Sequence, residues 1–525
     1  MSAKPAKPAK PPKLVLCVID AMAPEMLVRA AESGAAPVLA TLMERGLYIP
    51  DCVAAFPSVT PVCAASIATG AAQEEHLIPG MNWYLREERR YVEYGSSFRA
   101  AQRFGIGRQL TDTVYNMNRA HLSRDTPTVF ESLDDAGVRT AGTTYLMYRG
   151  RYRHEPQREG ALARFAASTI MRHPVMGPRE LFYADVFASR RTGCRATLGL
   201  PGVRDRHSGC VGAYLVEHDL FDFMLLSLPD NDWLSHKHGP DSQLRSIAAA
   251  DLQLARVMEA AGGVDGFLDE HAFIAMADHS QAGVSARIDL QGALGELGVL
   301  QPEDSPMGSQ NEGPARAYAR ARGRSRETSS PRIAVCPSQR AAMVYALHPE
   351  ERDAMRASVL ARARSIEGVD LLAWLARDAH DRPAEAVVAS PERGELRFAP
   401  GGALRDARGV GWSLEGDWAV LDVSLEEGGE MLAMRAYPDG LARLWSALTC
   451  SQSGEVLLSA AEGWEFVDWG GAAHVGGGSH GSLHASDSLA PLVLCGLDPP
   501  AAAPGQWGIR DVAGLVRAHF GAEQA

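Results

Sequence analysis

The sequence predicts an α/β fold: a mostly parallel central sheet flanked by helices, with a smaller α+β insertion or cap. Three runs carry this expectation, LVLCVI (14–19), FMLLSL (223–228) and AFIAMA (272–277). Each is short and continuously apolar, the pattern of a parallel strand covered on both faces. Each also leads into polar residues, namely Asp20, the Pro229-Asp230-Asn231-Asp232 stretch, and Asp278-His279. Segment 128–135 has a helical pattern and is followed by Gly137 and the strand-like VRTAGTTYL, so helices and strands alternate.

Taken along the chain, residues 1–13 (MSAKPAKPAKPPK) form an Ala/Lys/Pro tail expected to be disordered. The tail lacks the apolar stretch of a secretory signal. Residues 14–300 make the α/β core that would carry the site. Residues 301–335 are rich in Pro, Gly, Ser and Arg and read as a flexible insertion. In 336–470 the core continues and carries the cap, because EAVVA, ELRFA, WAVLDV and EVLLSA alternate with Gly and Pro turns. Residues 471–525 complete the core with the run PLVLC (491–495) and a glycine-rich loop. No internal repeat is visible.

A chain of 525 residues with 46% hydrophobic content exceeds one simple core. The net charge of −12 disfavours a nucleic-acid-binding surface. No apolar run approaches the roughly 18 residues of a membrane span. Eight cysteines are scattered without a CxxC pair, which argues against a zinc ribbon and suits a reducing compartment. The expected location is therefore the cytoplasm, and the oligomeric state is not legible.

Four polar stretches could carry chemistry. In FPSVTPVCAASIATG (56–70), Thr60 reads as the N-cap of a small-residue helix with Pro61 at its first position. A helix N-terminus favours a phosphate and a developing alkoxide, although a cap alone is the simpler use of such a threonine. In PDNDWLSHKHGP (229–240), Asp232 and His236 stand four apart, so on a helical turn they share one face and can grip a metal ion. Asp230 and His238 compete for that role, and a surface ion pair is the alternative. Asp278 and His279 follow an apolar strand, where joint ligation requires the chain to turn. GGGSHGSLH (476–484) is a shaped loop around His480, or else a linker that contains two histidines.

Together these stretches resemble the type I phosphodiesterase/nucleotide pyrophosphatase family and related phosphonate hydrolases of the alkaline phosphatase superfamily. The resemblance rests on LVLCVID ending in Asp20, FPSVT through ATG, QEEHLIPG with Glu74 and His76, DWLSHKHGP, ADHSQAG and GSHG. It spans roughly 14–300 and 470–496. It implies an alkaline-phosphatase-like fold and two zinc ions, with other divalent metals able to serve. One is held by Asp232, His236 and His480, the other by Asp20, Thr60, Asp278 and His279. By the same resemblance Thr60 is the nucleophile, forms a phosphothreonine, and is released by water from the leaving-group side. The implied substrate is a small phosphate ester. Phosphomonoesterase, phosphonate hydrolase and phosphoryl or sulfuryl transferase activity remain on the same scaffold, as does a non-catalytic metal-binding protein.

The resemblance departs at Cys63, where diesterases of the family carry an asparagine amide that donates to a phosphate oxygen. A thiol is a weak donor. A main-chain N–H, an arginine from 85–103, or Arg149 or Arg151 would have to compensate. His238, His474 and His484 are expected to support the site or the fold, and Trp83 and Tyr84 to pack in the core rather than stack on a substrate.

Overall fold

The computed structural model describes residues 12–158, 171–305, 331–378, 380–426, 429, 431–497 and 504–522. The expected tail therefore lies outside the described residues, apart from Pro12 and Lys13. The expected flexible insertion does so for 306–330, while residues 333–335 of that range enter a buried strand, Ile333–Ser338.

The main layer is an eight-stranded sheet. Its spatial order is Leu47–Val53, Leu489–Cys495, His271–Met276, Lys13–Ile19, Phe223–Leu228, Thr140–Thr143, Glu180–Tyr183 and Phe187–Ala188. The five strands from His271–Met276 to Glu180–Tyr183 run parallel. Leu489–Cys495 runs antiparallel to both its neighbours. Alternation along Lys13–Ile19 shows why the strand sequences are continuously apolar. Leu14, Leu16 and Val18 enter one core and Val15, Cys17 and Ile19 the other. Helices Pro24–Glu32, Pro37–Arg45, Arg204–Glu217 and Gln243–Glu259 cover the second face, and Thr60–Thr69 the first.

Register fixes where these strands stop. Ile19 pairs with Leu228 and Val18 with Met276, so Asp20, Pro229 and Ala277 leave the sheet at one level. Ligands gather beyond such carboxyl ends.

A second, seven-stranded antiparallel sheet runs from Ile333–Ser338 to Gly411–Gly416. EAVVA and ELRFA lie in its strands Pro383–Ser390 and Gly394–Arg405, and most of EVLLSA in Val456–Ala460. WAVLDV is different. Trp418–Leu421 is a short 3-10 turn, and Asp422 is left-handed with φ 51° before the brief strand Val423–Leu425.

Two of the scattered cysteines, Cys194 and Cys210, form a disulfide. The pattern gave no warning of it because the two are brought together by a loop folding onto helix Arg204–Glu217. The other six cysteines are buried thiols. Among the described residues, no helix is long and apolar enough to cross a membrane.

One buried ion pair joins the two sheets. Arg340 and Asp487 are both fully inaccessible and hydrogen-bonded to each other. Arg340 also donates to the carbonyls of Trp464 and Ala461 at 3.1 Å each, and Asp487 accepts from the Ser482 N–H at 2.8 Å. Breaking one side of such a pair strands a buried charge, so Asp487→Ala should lower unfolding free energy by about 3–5 kcal/mol. Chemical denaturation measures this, and a loss under about 1 kcal/mol would contradict it.

Candidate active site

Thr60 opens the ten-residue helix Thr60–Thr69, so the N-cap is Val59 rather than Thr60, a one-residue shift from the sequence reading. Its side chain does not cap the helix. The hydroxyl instead lies 3.3 Å from Nε2 of His279. Asp232 and His236 do share a helical face on Asp230–His238, with Oδ1 and Nε2 3.2 Å apart.

The three-stranded sheet Gly463–Phe466, Ala282–Ile288 and Gly478–Ser479 brings the distant loops together. Ala282 pairs with Ser479 and Gly283 with Gly478, which sets His279 beside His480. Their rings stack at 3.9 Å between centroids. His480 Nε2 then reaches to 3.4 Å from Asp232 Oδ1. Glycine is required at 478, where a Cβ would stand 2.5 Å from Gln281 Oε1 and 2.9 Å from the Ser235 carbonyl.

Two clusters result, Asp232/His236/His480 and Asp20/Asp278/His279, with the donor atoms of each within 4.8 Å of one another. Nε2 of His279 lies 3.6 Å from both Asp20 Oδ1 and Asp278 Oδ2 and also faces Thr60. All seven residues singled out from the sequence therefore meet at one edge of the sheet.

The imidazoles are oriented alike. Nδ1 of His236 donates to the Gly478 carbonyl at 2.7 Å, Nδ1 of His480 to Ser58 O at 2.7 Å, and Nδ1 of His279 to Ser280 O at 3.1 Å. A proton held on each Nδ1 leaves three Nε2 lone pairs pointing inward, the arrangement of imidazoles that ligate a metal.

The charges point the same way. Burial, and then the facing carboxylates of Asp278 and Asp232, push the Asp20 carboxyl well above its usual range. Its Oδ1 is buried and accepts no hydrogen bond. Burial lowers His480 to about 4, so it is neutral at physiological pH. Burial would raise Asp232, but His236 and His480 outweigh it and hold it well below the usual range. A set of hard carboxylate oxygens, one of them buried without a partner, and imidazole nitrogens fits divalent cations such as zinc.

The competing candidates fall outside. Asp230 accepts from Arg204 Nε at 2.9 Å and from the N–H groups of Gly202 and Asp205, and His238 is exposed. Glu74 binds the Ser446 hydroxyl and His76 lies 3.2 Å from Ser66 Oγ, so both support the fold behind helix Thr60–Thr69. The His474 ring packs tilted against His236 at 4.2 Å between centroids and pairs with Glu465, whereas His484 faces Glu462 and Tyr437. Trp83 and Tyr84 are buried in the core. Arg86, Arg90, Arg103, Arg149 and Arg151 are each engaged by carboxylates that belong to neither cluster.

Sequence reasoning missed two amides. Gln281 Nε2 donates to Asp232 Oδ1, and Gln339 Nε2 lies 3.4 Å from His236 Nε2. Gln281 sits within ADHSQAG and was within reach of the motif. Gln339 comes from the second sheet and had no local signal.

A family model described as type I phosphodiesterase/nucleotide pyrophosphatase matches residues 14–382. The chain belongs to that family. It is accordingly a phosphoric ester hydrolase. No curated protein sequence matches it significantly. Among solved structures, murine ectonucleotide pyrophosphatase/phosphodiesterase 5 is similar at 10% identity and TM-score 0.53, covering 97% of this chain and 95% of that one. An inactive threonine-to-alanine form of the murine protein in complex with AMP has a TM-score of 0.51 at 10% identity, with the same coverage of both chains. Phosphonoacetate hydrolase from Sinorhizobium meliloti 1021, in complex with phosphonoacetate, is similar at 16% identity and TM-score 0.52, covering 97% and 96%. At such identities these likenesses show a shared fold.

Cys63 stands one turn after Thr60, wholly buried, and burial followed by the Asp278 charge pushes its thiol well above the usual range. The thiol is therefore held in its protonated, unreactive form. Native protein should leave Cys63 unalkylated by iodoacetamide near pH 8, and unfolding should expose it. Stoichiometric labelling of native Cys63 would contradict this burial.

Proposed function

We propose that this hydrolase is of the phosphodiesterase or pyrophosphatase type and works through a phosphothreonine at Thr60, with two zinc ions or related divalent cations. The observation that carries the reading is the convergence of three inward Nε2 lone pairs and three carboxylates beside one hydroxyl. Asp232, His236 and His480 would hold one cation, and Asp20, Asp278 and His279, with Thr60, the other. Bound there, the cations would lower the pKa of the hydroxyl and neutralise charge on the transferring phosphoryl group.

The residues of the chain do the rest. The 3.3 Å contact between Thr60 and His279 places the hydroxyl at the mouth of the second cluster. The Thr60 hydroxyl gives its proton to solvent as its oxygen bonds to phosphorus, the bond to the leaving oxygen breaks, and that oxygen takes a proton from solvent. Water then bonds to phosphorus, the bond to Thr60 breaks, and the hydroxyl recovers its proton. The positive end of helix Thr60–Thr69 faces the phosphoryl charge in both steps. That a threonine-to-alanine form of the murine neighbour is inactive supports the role given to Thr60. The AMP and phosphonoacetate complexes support a small organic phosphate or phosphonate as substrate.

For location, the cytoplasm expected from the sequence must accommodate the Cys194–Cys210 bridge, a bond that persists more readily in oxidising compartments.

Steady-state kinetics on paired mono-, di- and phosphonate esters tests the chemistry. Thr60→Ala should lower kcat by at least about 1,000-fold, and acid quenching should trap phosphate on wild-type Thr60. His480→Ala should lose about one metal ion per chain, read by elemental analysis. Normal turnover by Thr60→Ala would defeat the proposal.

A further inference from the structure

The reaction proposed above also needs donors for phosphoryl oxygens, and of the amides already placed Gln281 is engaged by Asp232 and Gln339 lies against His236. Cys63 is sealed in the core, and Arg86, Arg90, Arg103, Arg149 and Arg151 are engaged by carboxylates elsewhere. Two hydroxyls near the site have no use in the fold. Tyr145 OH and Thr144 Oγ1 are both buried and without a hydrogen-bond partner. Tyr145 is only 5% exposed, and leaving such a group unpaired in the folded protein is costly.

Sheet register places them. Thr143 is level with Leu226, and Leu226 with Cys17, so the chain after Thr143 leaves the sheet at the edge where Asp20 and Asp278 emerge. The Tyr145 ring belongs to the same apolar cluster as Val59, Val62 and Cys63, which flank the nucleophile. Burial, and then the charges of Asp278, Cys63 and Asp20, hold the hydroxyl well above its usual range, so it keeps its proton and remains a donor. Thr144 turns the chain between strand and tyrosine with φ 47°, a left-handed conformation unfavourable for a β-branched residue. Its N–H is tied to the Phe182 carbonyl at 2.8 Å. Backbone strain of this kind is retained where the surrounding structure enforces it, commonly at functional sites.

We propose that the Tyr145 hydroxyl donates a hydrogen bond to a non-bridging phosphoryl oxygen of the bound ester, with Thr144 as the positioning residue that turns it there. The inference rests on the hydrolase reading and adds a group that contacts substrate. An ordered water filling the space is the competing occupant, and it predicts a different outcome.

The test is Tyr145→Phe in the full-length, zinc-loaded protein, with four readouts: bound metal, thermal midpoint, kcat and KM, and orthovanadate binding by calorimetry. Removing an unpartnered hydroxyl should leave metal content unchanged and the midpoint unchanged or raised. The value of kcat should fall by about 100-fold, the scale of losing one donor to a developing oxyanion, with KM changed less. Vanadate, which resembles the five-coordinate phosphorus, should bind more weakly by a similar factor. Wild-type kcat and vanadate affinity in Tyr145→Phe would overturn the proposal. A rate loss accompanied by lost metal or a lowered midpoint would make the hydroxyl structural and overturn it too. Inactivity of the wild-type protein on every ester would defeat the hydrolase reading instead, and vanadate binding would still decide the role of Tyr145.

Discussion

Three main-chain carbonyls govern this site. Ser58 O, Gly478 O and Ser280 O each take the Nδ1 proton of an imidazole, from His480, His236 and His279 respectively. These bonds turn every ring so that its Nε2 faces inward, where it can offer a lone pair to a cation. The carbonyls belong to the loop before helix Thr60–Thr69, the glycine-rich loop and the turn after strand His271–Met276. The geometry of the site thus depends on how those three segments pack.

That packing is secured from below. Arg340 reaches from the second sheet to Asp487, and its own N–H donates to the His480 carbonyl at 2.9 Å. Ser280 is held to the same segment, since its N–H donates to the Asp487 carbonyl at 2.9 Å. The seven-stranded sheet therefore does more than cover the core. It clamps the loop that carries His480 and lends Gln339 to the rim of His236. The electrostatic cost of the arrangement appears at Asp20, a buried carboxyl facing Asp278 and Asp232. Cations at the site would convert that repulsion into binding energy.

Much of this was legible from sequence because the signals are local. Continuous apolar runs marked the parallel strands, and Asp20, Asp278 and His279 could be placed because each directly follows one. Asp232 and His236 were readable from helical spacing. His480 was readable only as a histidine among glycines, and the reason for the glycines is visible only in three dimensions, where Gly478 lies against Gln281 and the Ser235 carbonyl. Illegible features are those made by long-range packing: the Arg340–Asp487 clamp, Gln339, the Cys194–Cys210 bridge and the unpartnered Tyr145. In each case the partners are set by tertiary contacts and leave no pattern along the chain. The one-residue shift of the helix start at Thr60 has a smaller cause, since caps and first turns are the least sharply defined parts of a helix.

The central claim is that two groups of side chains are shaped to hold two cations beside Thr60. Anomalous diffraction from zinc-soaked crystals measures this directly. The account predicts two peaks about 4 Å apart. One should lie among Asp232, His236 and His480, and the other among Asp20, Asp278 and His279 within reach of the Thr60 oxygen. Zinc bound only elsewhere, or a single ion with either cluster empty at saturation, would contradict it.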